Sequence, residues 1–169
     1  MSGLPQVKIT PNMYYRLVYT LAYQFDLNVA KALLPSHEVV RVTLSPKGRI
    51  RHVYVNGVRL LTLRPSDGLF TLSLEGGEIV RRASKPPRFR VIVLGREARY
   101  IKGSVLKPIV LDIDPEARPG DEILIVDEND NLVGVGKLRL PPILVKSLEK
   151  GEVVRVRSLR EEFSIGDSN

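Results

Sequence analysis

Two groups of basic residues have the clearest capacity for chemistry in this sequence. The first is Lys47, Arg49 and Arg51, which alternate with other residues across a turn and into a predicted strand. At this spacing the three side chains share one face of the strand, where like charges repel one another and add no stability. An anionic partner explains the pattern economically. The alternative is a sheet face that is simply solvated.

The second group lies later in the chain. Lys102 and Lys107 bracket a predicted helical turn, and Arg155 and Arg157 lie on the predicted last strand. A helix start offers free backbone N–H groups to an anion, so the backbone at Gly103-Ser104 is a candidate phosphate site. For each of these residues taken alone, a solvated surface charge is the simpler interpretation.

The sequence offers no recognisable catalytic or metal-binding set. His37 and His52 have no obvious nucleophile partner, cysteine is absent, and neither a G-x-S-x-G elbow nor a Walker-type loop occurs. Acids cluster from residue 112 to 122, but their spacing lacks the glycine and terminal glutamate of a calcium loop. We assign this cluster to turns and strand edges and expect no catalytic residue, metal or cofactor. Its members are Asp112, Asp114, Glu116, Asp121 and Glu122.

The distribution of charge is more informative than the total of +7. Residues 1–85 hold 12 Lys/Arg and 5 Asp/Glu, a net charge of +7, whereas residues 86–169 hold 14 of each sign. Such asymmetry favours a polyanionic partner, most often nucleic acid. An arginine-rich surface of the thermophile type is the alternative.

The first half predicts an α+β unit, a helix on an antiparallel sheet, over residues 1–84. Thr10 is a predicted helix N-cap with Pro11 at the first helical position, and apolar residues then recur at helical spacing to residue 34. A break is expected near Asp26. Strands follow, and Asn56-Gly57 is the strongest two-residue hairpin signal in the chain.

Four tyrosines fall on or near one side of the predicted helix: Tyr14, Tyr15, Tyr19 and Tyr23. They suggest either a stacking platform for bases or a helix face packed on the sheet, with the hydroxyls reaching solvent. We favour the packed face.

The second half predicts a small β-barrel over residues 85–160, with a tail at 161–169 that we expect to fray. Lys85-Pro86-Pro87-Arg88 marks the boundary, because two prolines continue neither a helix nor a central strand. A hairpin follows the turn Pro119-Gly120-Asp121, and its Gly134-x-Gly136 indicates a bulge or a close backbone approach. We also predict a short strand near 98–101.

No apolar run approaches the roughly 18 residues of a transmembrane helix, and the N-terminus lacks the apolar core of a signal peptide. We therefore expect a cytoplasmic protein.

Several landmarks together resemble a PUA domain, the RNA-binding barrel named after pseudouridine synthases and archaeosine transglycosylases. They are Gly103-Ser104-Val105, the acidic run from Asp112 to Glu116, Gly120-Asp121 before the strand ILIV, and Lys150-Gly151 before the last strand. The resemblance implies a mixed barrel of PUA type. It also implies RNA contacts on the segment from Lys102 to Lys107 and on the last strand, which gives Lys102, Gly103, Ser104, Val105, Lys107, Arg155 and Arg157. One departure is that Pro108 is followed by Ile109, where many PUA domains have glycine.

The first half resembles the domain that precedes PUA in archaeal tRNA-guanine (archaeosine) transglycosylase. The residues concerned run from Gly48 to Tyr54 and from Leu63 to Ser73, with Tyr23-Gln24-Phe25 in the helix. Nearly the whole chain thus resembles the C-terminal accessory part of that archaeal enzyme as a free-standing protein. The catalytic barrel of the enzyme, with its zinc cysteines, has no counterpart here.

The resemblance implies an RNA-binding protein without catalysis of its own, with a tRNA acceptor stem as the first target and rRNA as the second. We expect Lys47, Arg49 and Arg51 to extend the RNA surface. Two alternatives remain open: a ribosome-assembly or translation factor, and a subunit that completes a split transglycosylase in trans.

Overall fold

A computed structural model describes residues 4–163, and these form two compact units that divide between Ala83 and Ser84. Each unit has its own sheet and its own apolar core. The predicted tail, 161–169, begins with a 3-10 turn at Glu161–Phe163, and the rest of it lies outside the described residues.

The first unit begins with strand β1 (Val7–Lys8) and two consecutive helices, α1 (Pro11–Gln24) and α2 (Leu27–Leu33). The Thr10 hydroxyl accepts a hydrogen bond from the Met13 amide at 3.2 Å, which confirms the predicted N-cap. Asp26 is the N-cap of α2 and accepts from the Val29 amide at 2.8 Å. The predicted break near Asp26 therefore lies between the C-cap of α1, Phe25, and the start of α2.

Four further strands and a third helix complete this unit, and the sheet order is β1-β2-β3-β4-β5 with antiparallel pairing throughout. The helix α3 is capped by Ser73, whose hydroxyl accepts from the Gly76 amide. These elements are β2 (Val40–Leu44), β3 (Ile50–Val55), β4 (Val58–Leu63), β5 (Phe70–Leu72) and α3 (Leu74–Arg82).

Helix α1 is joined to the sheet by one side chain. The Gln24 amide donates to the Phe70 carbonyl at 2.6 Å and accepts from the Phe70 amide at 2.9 Å, so it satisfies both backbone groups of that edge-strand residue. Asn56 and Gly57 both have positive φ, at 50° and 80°, as the predicted two-residue turn requires. The predicted α+β class is confirmed for this unit.

The second unit is a six-stranded mixed sheet that curls into a half-barrel, which confirms the predicted mixed barrel class. The strand order is β7-β11-β10-β9-β6-β8, and only β6 and β9 run parallel among the described pairs. The elements are β6 (Arg90–Val93), β7 (Ser104–Leu106), β8 (Val110–Ile113), β9 (Glu122–Val126), β10 (Leu132–Leu138), α4 (Pro142–Ser147) and β11 (Glu152–Leu159).

The β9–β10 hairpin forms as predicted. Gly120 has φ +93°, and the Asp121 amide donates to the Arg118 carbonyl at 3.0 Å, which closes the turn around Pro119-Gly120. Every residue of β9 is buried. A Cβ at Gly134 would lie 2.5 Å from the Ser158 carbonyl oxygen, so the return strand can approach β11 closely only without a side chain there.

Two local predictions are wrong. The segment near 98–101 is the end of a 3-10 helix (Gly95–Tyr100), and Ser104–Leu106, predicted as a helical turn, is strand β7. Pairing of this segment with β11 overrides its local helical signal, so Gly103-Ser104 is not a helix start and offers no helix N-terminus to a phosphate.

One arginine is wholly buried in the second unit. The Arg90 guanidinium donates to the Asp130 carboxylate at 2.7 and 3.1 Å, to the Ser84 hydroxyl at 3.0 Å and to the Arg88 carbonyl at 2.7 Å. The side chain is 0% exposed. It thereby joins the first residue of the unit, strand β6 and the turn after β9.

Across residues 4–163, the helices are all too short or too polar to span a bilayer.

We expect Asp130→Asn to lower the free energy of unfolding by roughly 3 kcal/mol, because it leaves a buried guanidinium without its counter-charge. Asparagine tolerates the φ of +60° at this position, so the backbone is not disturbed. Urea denaturation followed by circular dichroism measures the change. Glu116→Gln is the control. The Glu116 side chain, which forms an ion pair with Arg88, is 73% exposed, so this ion pair should contribute less than about 1 kcal/mol. Equal effects of the two variants would contradict the assignment.

Candidate nucleic-acid interface

The predicted basic residues of the second unit meet at one edge of the sheet, where the edge strand β7 pairs with β11. Ser104 lies opposite Arg155, and Arg155 lies opposite Lys137 of β10. Residues directly opposite in neighbouring strands share a face, so this row presents polar side chains on one side of the sheet. Val105 and Val154 belong to the core on the other side.

Glu152 lies at the centre of this face and organises its cations. The Ser104 hydroxyl donates to the Glu152 carboxylate, and the Arg155 guanidinium donates to it at 3.1 and 3.2 Å. Arg139 approaches the same carboxylate at 3.4 Å. The two arginines remain 60% and 46% exposed, so each has surface available to a ligand while Glu152 holds it.

The hydrogen bond from Ser104, together with the charges of Arg155 and Arg139, holds the pKa of Glu152 below its usual range. Glu152 is therefore ionised at neutral pH. An anionic ligand at this face would compete with it for the two arginines.

Arg157, which is predicted to contact RNA, also has a partner within the protein. Its guanidinium donates to both carboxylate oxygens of Glu122, one of them at 2.8 Å. Glu122 has a fully buried side chain, so this bidentate pair neutralises a charge inside the sheet. The Arg157 side chain is 34% exposed, whereas that of Arg155 on the same strand is 60% exposed.

The rest of the predicted segment divides between surface and core. Lys102 and Gly103 are exposed, and a Cβ at Gly103 would meet no atom within 4 Å. Lys107 is half-buried, and its amide donates to the Gly151 carbonyl at 2.9 Å. Val105 is 0% exposed as a whole residue and belongs to the core, so it presents neither its side chain nor its backbone at the surface.

The basic residues of the first unit lie mostly on a turn. Lys47 and Arg49 precede β3, and only Arg51 lies on the strand, so the three do not share one strand face as predicted. The turn is closed by the Ser45 amide, which donates to the Arg49 carbonyl at 2.7 Å. All three cations are exposed, and none forms an ion pair with a residue between 4 and 163.

Four cations beside these sites were missed from the sequence: Lys137, Arg139, Arg41 and Arg59. Arg41 and Arg59 lie opposite Tyr54 on the two sides of β3. Burial lowers the pKa of His52, and the charges of Arg59 and Arg51 lower it further, so His52 is neutral at neutral pH. Strand register places Arg41 and Arg59 beside Tyr54 in the first unit and Lys137 beside Arg155 in the second, whereas the sequence showed only that these cations were basic.

Among residues 4–163, no three His, Cys, Asp or Glu side chains are grouped in a way that could hold a metal ion. Acids of the cluster that we predicted to serve turns and strand edges accept hydrogen bonds from other groups of the protein. Asp114 accepts from the Phe89 amide at 2.7 Å and from Arg88 at 3.1 Å, and Asp121 accepts from the Arg118 amide.

We expect Glu152→Gln to reduce stability at neutral pH but not in acid. Because the pKa of Glu152 is lowered in the folded protein, its ionised form contributes stability above the unfolded value of about 4.3, and this contribution is lost as the pH falls through the folded pKa. Thermal unfolding at pH 7 and near pH 3 measures the difference between variant and parent. Glu149→Gln, at an exposed position, should show no such dependence. A difference that persists unchanged near pH 3 would contradict the account.

Family comparisons match the two halves of the chain separately. Residues 16–87 match the patch-forming domain C2 of tRNA-guanine transglycosylase, and residues 92–162 match the PUA domain. The solved structure of a hypothetical protein from Pyrococcus horikoshii OT3 superposes with a TM-score of 0.72 at 15% identity, covering 95% of this chain and 99% of that one. A conserved PUA domain protein from Thermoplasma acidophilum gives 0.65 at 16% identity, covering 93% and 95%. At these identities the likeness concerns the fold.

Archaeal tRNA-guanine(15) transglycosylases are similar in sequence. The Pyrococcus abyssi enzyme is 37% identical over 145 residues, which is 84% of this chain and 24% of that enzyme. The Thermococcus onnurineus enzyme is 39% identical over 138 residues, or 80% and 23%. The chain thus spans about a quarter of the length of these relatives. Its first unit is a C2 domain of the tRNA-guanine transglycosylase type, and its second unit is a PUA domain.

Proposed function

We propose that this protein binds structured RNA, with a tRNA acceptor stem as the first target. The observation that carries the proposal is the match of more than four-fifths of the chain to enzymes named for a tRNA substrate. The match lies in a C2 and a PUA domain, so the proposed activity is recognition of the RNA and not its modification.

The exposed cations support a phosphate-binding role. In the PUA domain, Lys102, Arg155, Lys137 and Arg139 offer positive charge on and beside the β7–β11 edge. In the C2 domain, Lys47, Arg49 and Arg51 are exposed on a turn and the strand start that follows it. Phosphate contacts would supply affinity, and the shape of a helical stem would supply selectivity.

Sequencing of the RNA that copurifies with the protein from its own cell tests the target. Enrichment of tRNA supports the proposal, whereas enrichment of rRNA would favour a ribosome-assembly or translation factor. The alignment to a quarter of a transglycosylase also motivates a second candidate, an accessory role to a catalytic chain in trans. Copurification of a transglycosylase chain that lacks its own PUA domain would support it.

We expect reversal of Lys47, Arg49 and Arg51 to glutamate to weaken tRNA binding and to reduce the slope of log K against log salt by about 2 to 3, since each lost phosphate contact removes about 0.9. Anisotropy titrations at several salt concentrations measure both quantities. The matched control reverses three other exposed cations, Lys8, Lys146 and Lys150, and changes the net charge equally. If both triple variants behave alike, the C2 turn is not a specific part of the interface.

We expect Glu152→Gln to tighten tRNA binding about threefold to fivefold, because it releases Arg155 and Arg139 from an internal anion. Arg155→Gln should weaken binding. Glu149→Gln removes the same charge from an exposed position and should change the affinity less than Glu152→Gln does. Tightening of equal size in the two glutamate variants would show a general charge effect and exclude a role for the Glu152 cluster.

A further inference from the structure

Three tyrosines form a continuous exposed stripe on helix α1 of the first unit. Tyr15, Tyr19 and Tyr23 recur every four residues and are 54%, 68% and 83% exposed. The prediction that the tyrosine face packs on the sheet is therefore wrong for these three rings. Tyr14 is the exception, because its hydroxyl donates to the Leu34 carbonyl at 2.6 Å.

The stripe lies on the side of α1 that faces away from the core of the unit. The opposite side of α1 is buried through Leu17, Val18 and Leu21. Large aromatic side chains left in water along one face are a common mark of an interaction site, because each ring gains from being covered.

The spacing of the rings suits a planar ligand. The ring centroids of Tyr15 and Tyr19 lie 6.5 Å apart, with the ring planes 30° from parallel. One base stacked between two rings needs about twice the spacing of about 3.4 Å between stacked bases, and the separation of the two tyrosine rings is close to that value. A cavity of about 340 Å³ opens here, lined by both rings and by Asn12, Met13 and Arg16. A T-shaped contact with Tyr14, at 5.4 Å between centroids, orients the Tyr15 ring.

The charges around the stripe favour an anionic ligand. Helix α1 carries no Asp or Glu, and its one charged residue is Arg16. Arg16 is exposed and forms no ion pair with any residue that the structure describes. Residues 1–83 hold 11 Lys/Arg and 5 Asp/Glu, a net charge of +6.

We propose that the stripe formed by Tyr15, Tyr19 and Tyr23, with Arg16, binds unpaired bases of RNA. A base stacks on the tyrosine rings, and the Arg16 guanidinium contacts the adjoining phosphate. The site would be a single-strand platform on the C2 domain, additional to the cations assigned to a helical stem. The inference rests on the proposed RNA-binding function and deepens it.

The test compares two RNAs with the full chain: a 12-nucleotide oligouridine, which cannot form stable pairs, and a blunt duplex. The protein has six tyrosines and no tryptophan, so stacking on the stripe should quench the intrinsic fluorescence directly. We expect the triple variant Tyr15→Ala, Tyr19→Ala and Tyr23→Ala to lose oligouridine affinity by at least about 100-fold, at about 5- to 150-fold per stacked ring. Duplex affinity should change less than twofold.

Matched variants separate stacking from other roles. The corresponding triple phenylalanine variant should bind oligouridine within about threefold of the parent, because it keeps the rings. Tyr100→Ala removes a ring that is 62% exposed in the other unit and should have no effect. Arg16→Gln should lower the salt slope for oligouridine by about 0.7. Since the substituted rings are exposed, thermal unfolding should show an unchanged midpoint in every variant.

Three outcomes would overturn the inference. One is oligouridine binding that is unchanged in the triple alanine variant, including the case where that variant instead loses a protein partner or self-association. Another is equal loss in the phenylalanine and alanine variants. The third is a parent protein that binds duplex but not oligouridine, which leaves the proposed function standing. Failure to bind tRNA, duplex or oligouridine would remove the proposed function itself.

Discussion

The buried guanidinium of Arg90 is the interaction on which the second unit most depends. It joins Ser84, at the start of the unit, to Asp130, in the turn after β9, and it satisfies the Arg88 carbonyl between them. A charge with no exposure is stable only with a counter-charge and several acceptors in good geometry. Strand β6 is thereby placed beside β9, the one parallel pair found among the described strands.

Buried acids in the second unit follow the same rule, because each of them has partners that stabilise its charge. The buried carboxylates of Asp114, Glu122 and Asp127 bind protein donors: backbone amides, Arg88, Arg157 and an asparagine of the same turn. Residues 86–169 have equal numbers of acids and bases, but the three buried acids do not face solvent. A domain with no net charge can therefore still present a basic surface.

The proposed functional residues differ in how tightly the fold holds them. Arg155 and Arg139 share Glu152, so their positions are set before any ligand arrives. Lys47 and Arg49 lie on an exposed turn and are constrained only through the backbone. Glu152 therefore reduces the conformational freedom that Arg155 and Arg139 would lose on binding a phosphate, but it also competes with that phosphate for them.

Much of the fold could be read from local signals. The Thr10 cap, the Asn56-Gly57 turn and the Pro119-Gly120 turn are chemical requirements of a few adjacent residues, and each appears in the structure where it was predicted. The glycines of β10 indicated a close approach that the structure contains. The family resemblance depended on such landmarks, so it too was accessible from the sequence.

Other properties were decided only by tertiary structure, because they depend on partners distant in the chain. Pairing with β11 made Ser104–Leu106 a strand, and strand register placed Lys137 beside Arg155. The ion pair between Arg157 and Glu122 spans 35 residues, and no local pattern indicates it. The sequence by itself determined where helix α1 begins, where the Asn56-Gly57 and Pro119-Gly120 turns lie, and that the protein is basic. Burial decided which charges and which tyrosine rings remain available to a ligand, since exposure is a property of the packed chain and not of its residues.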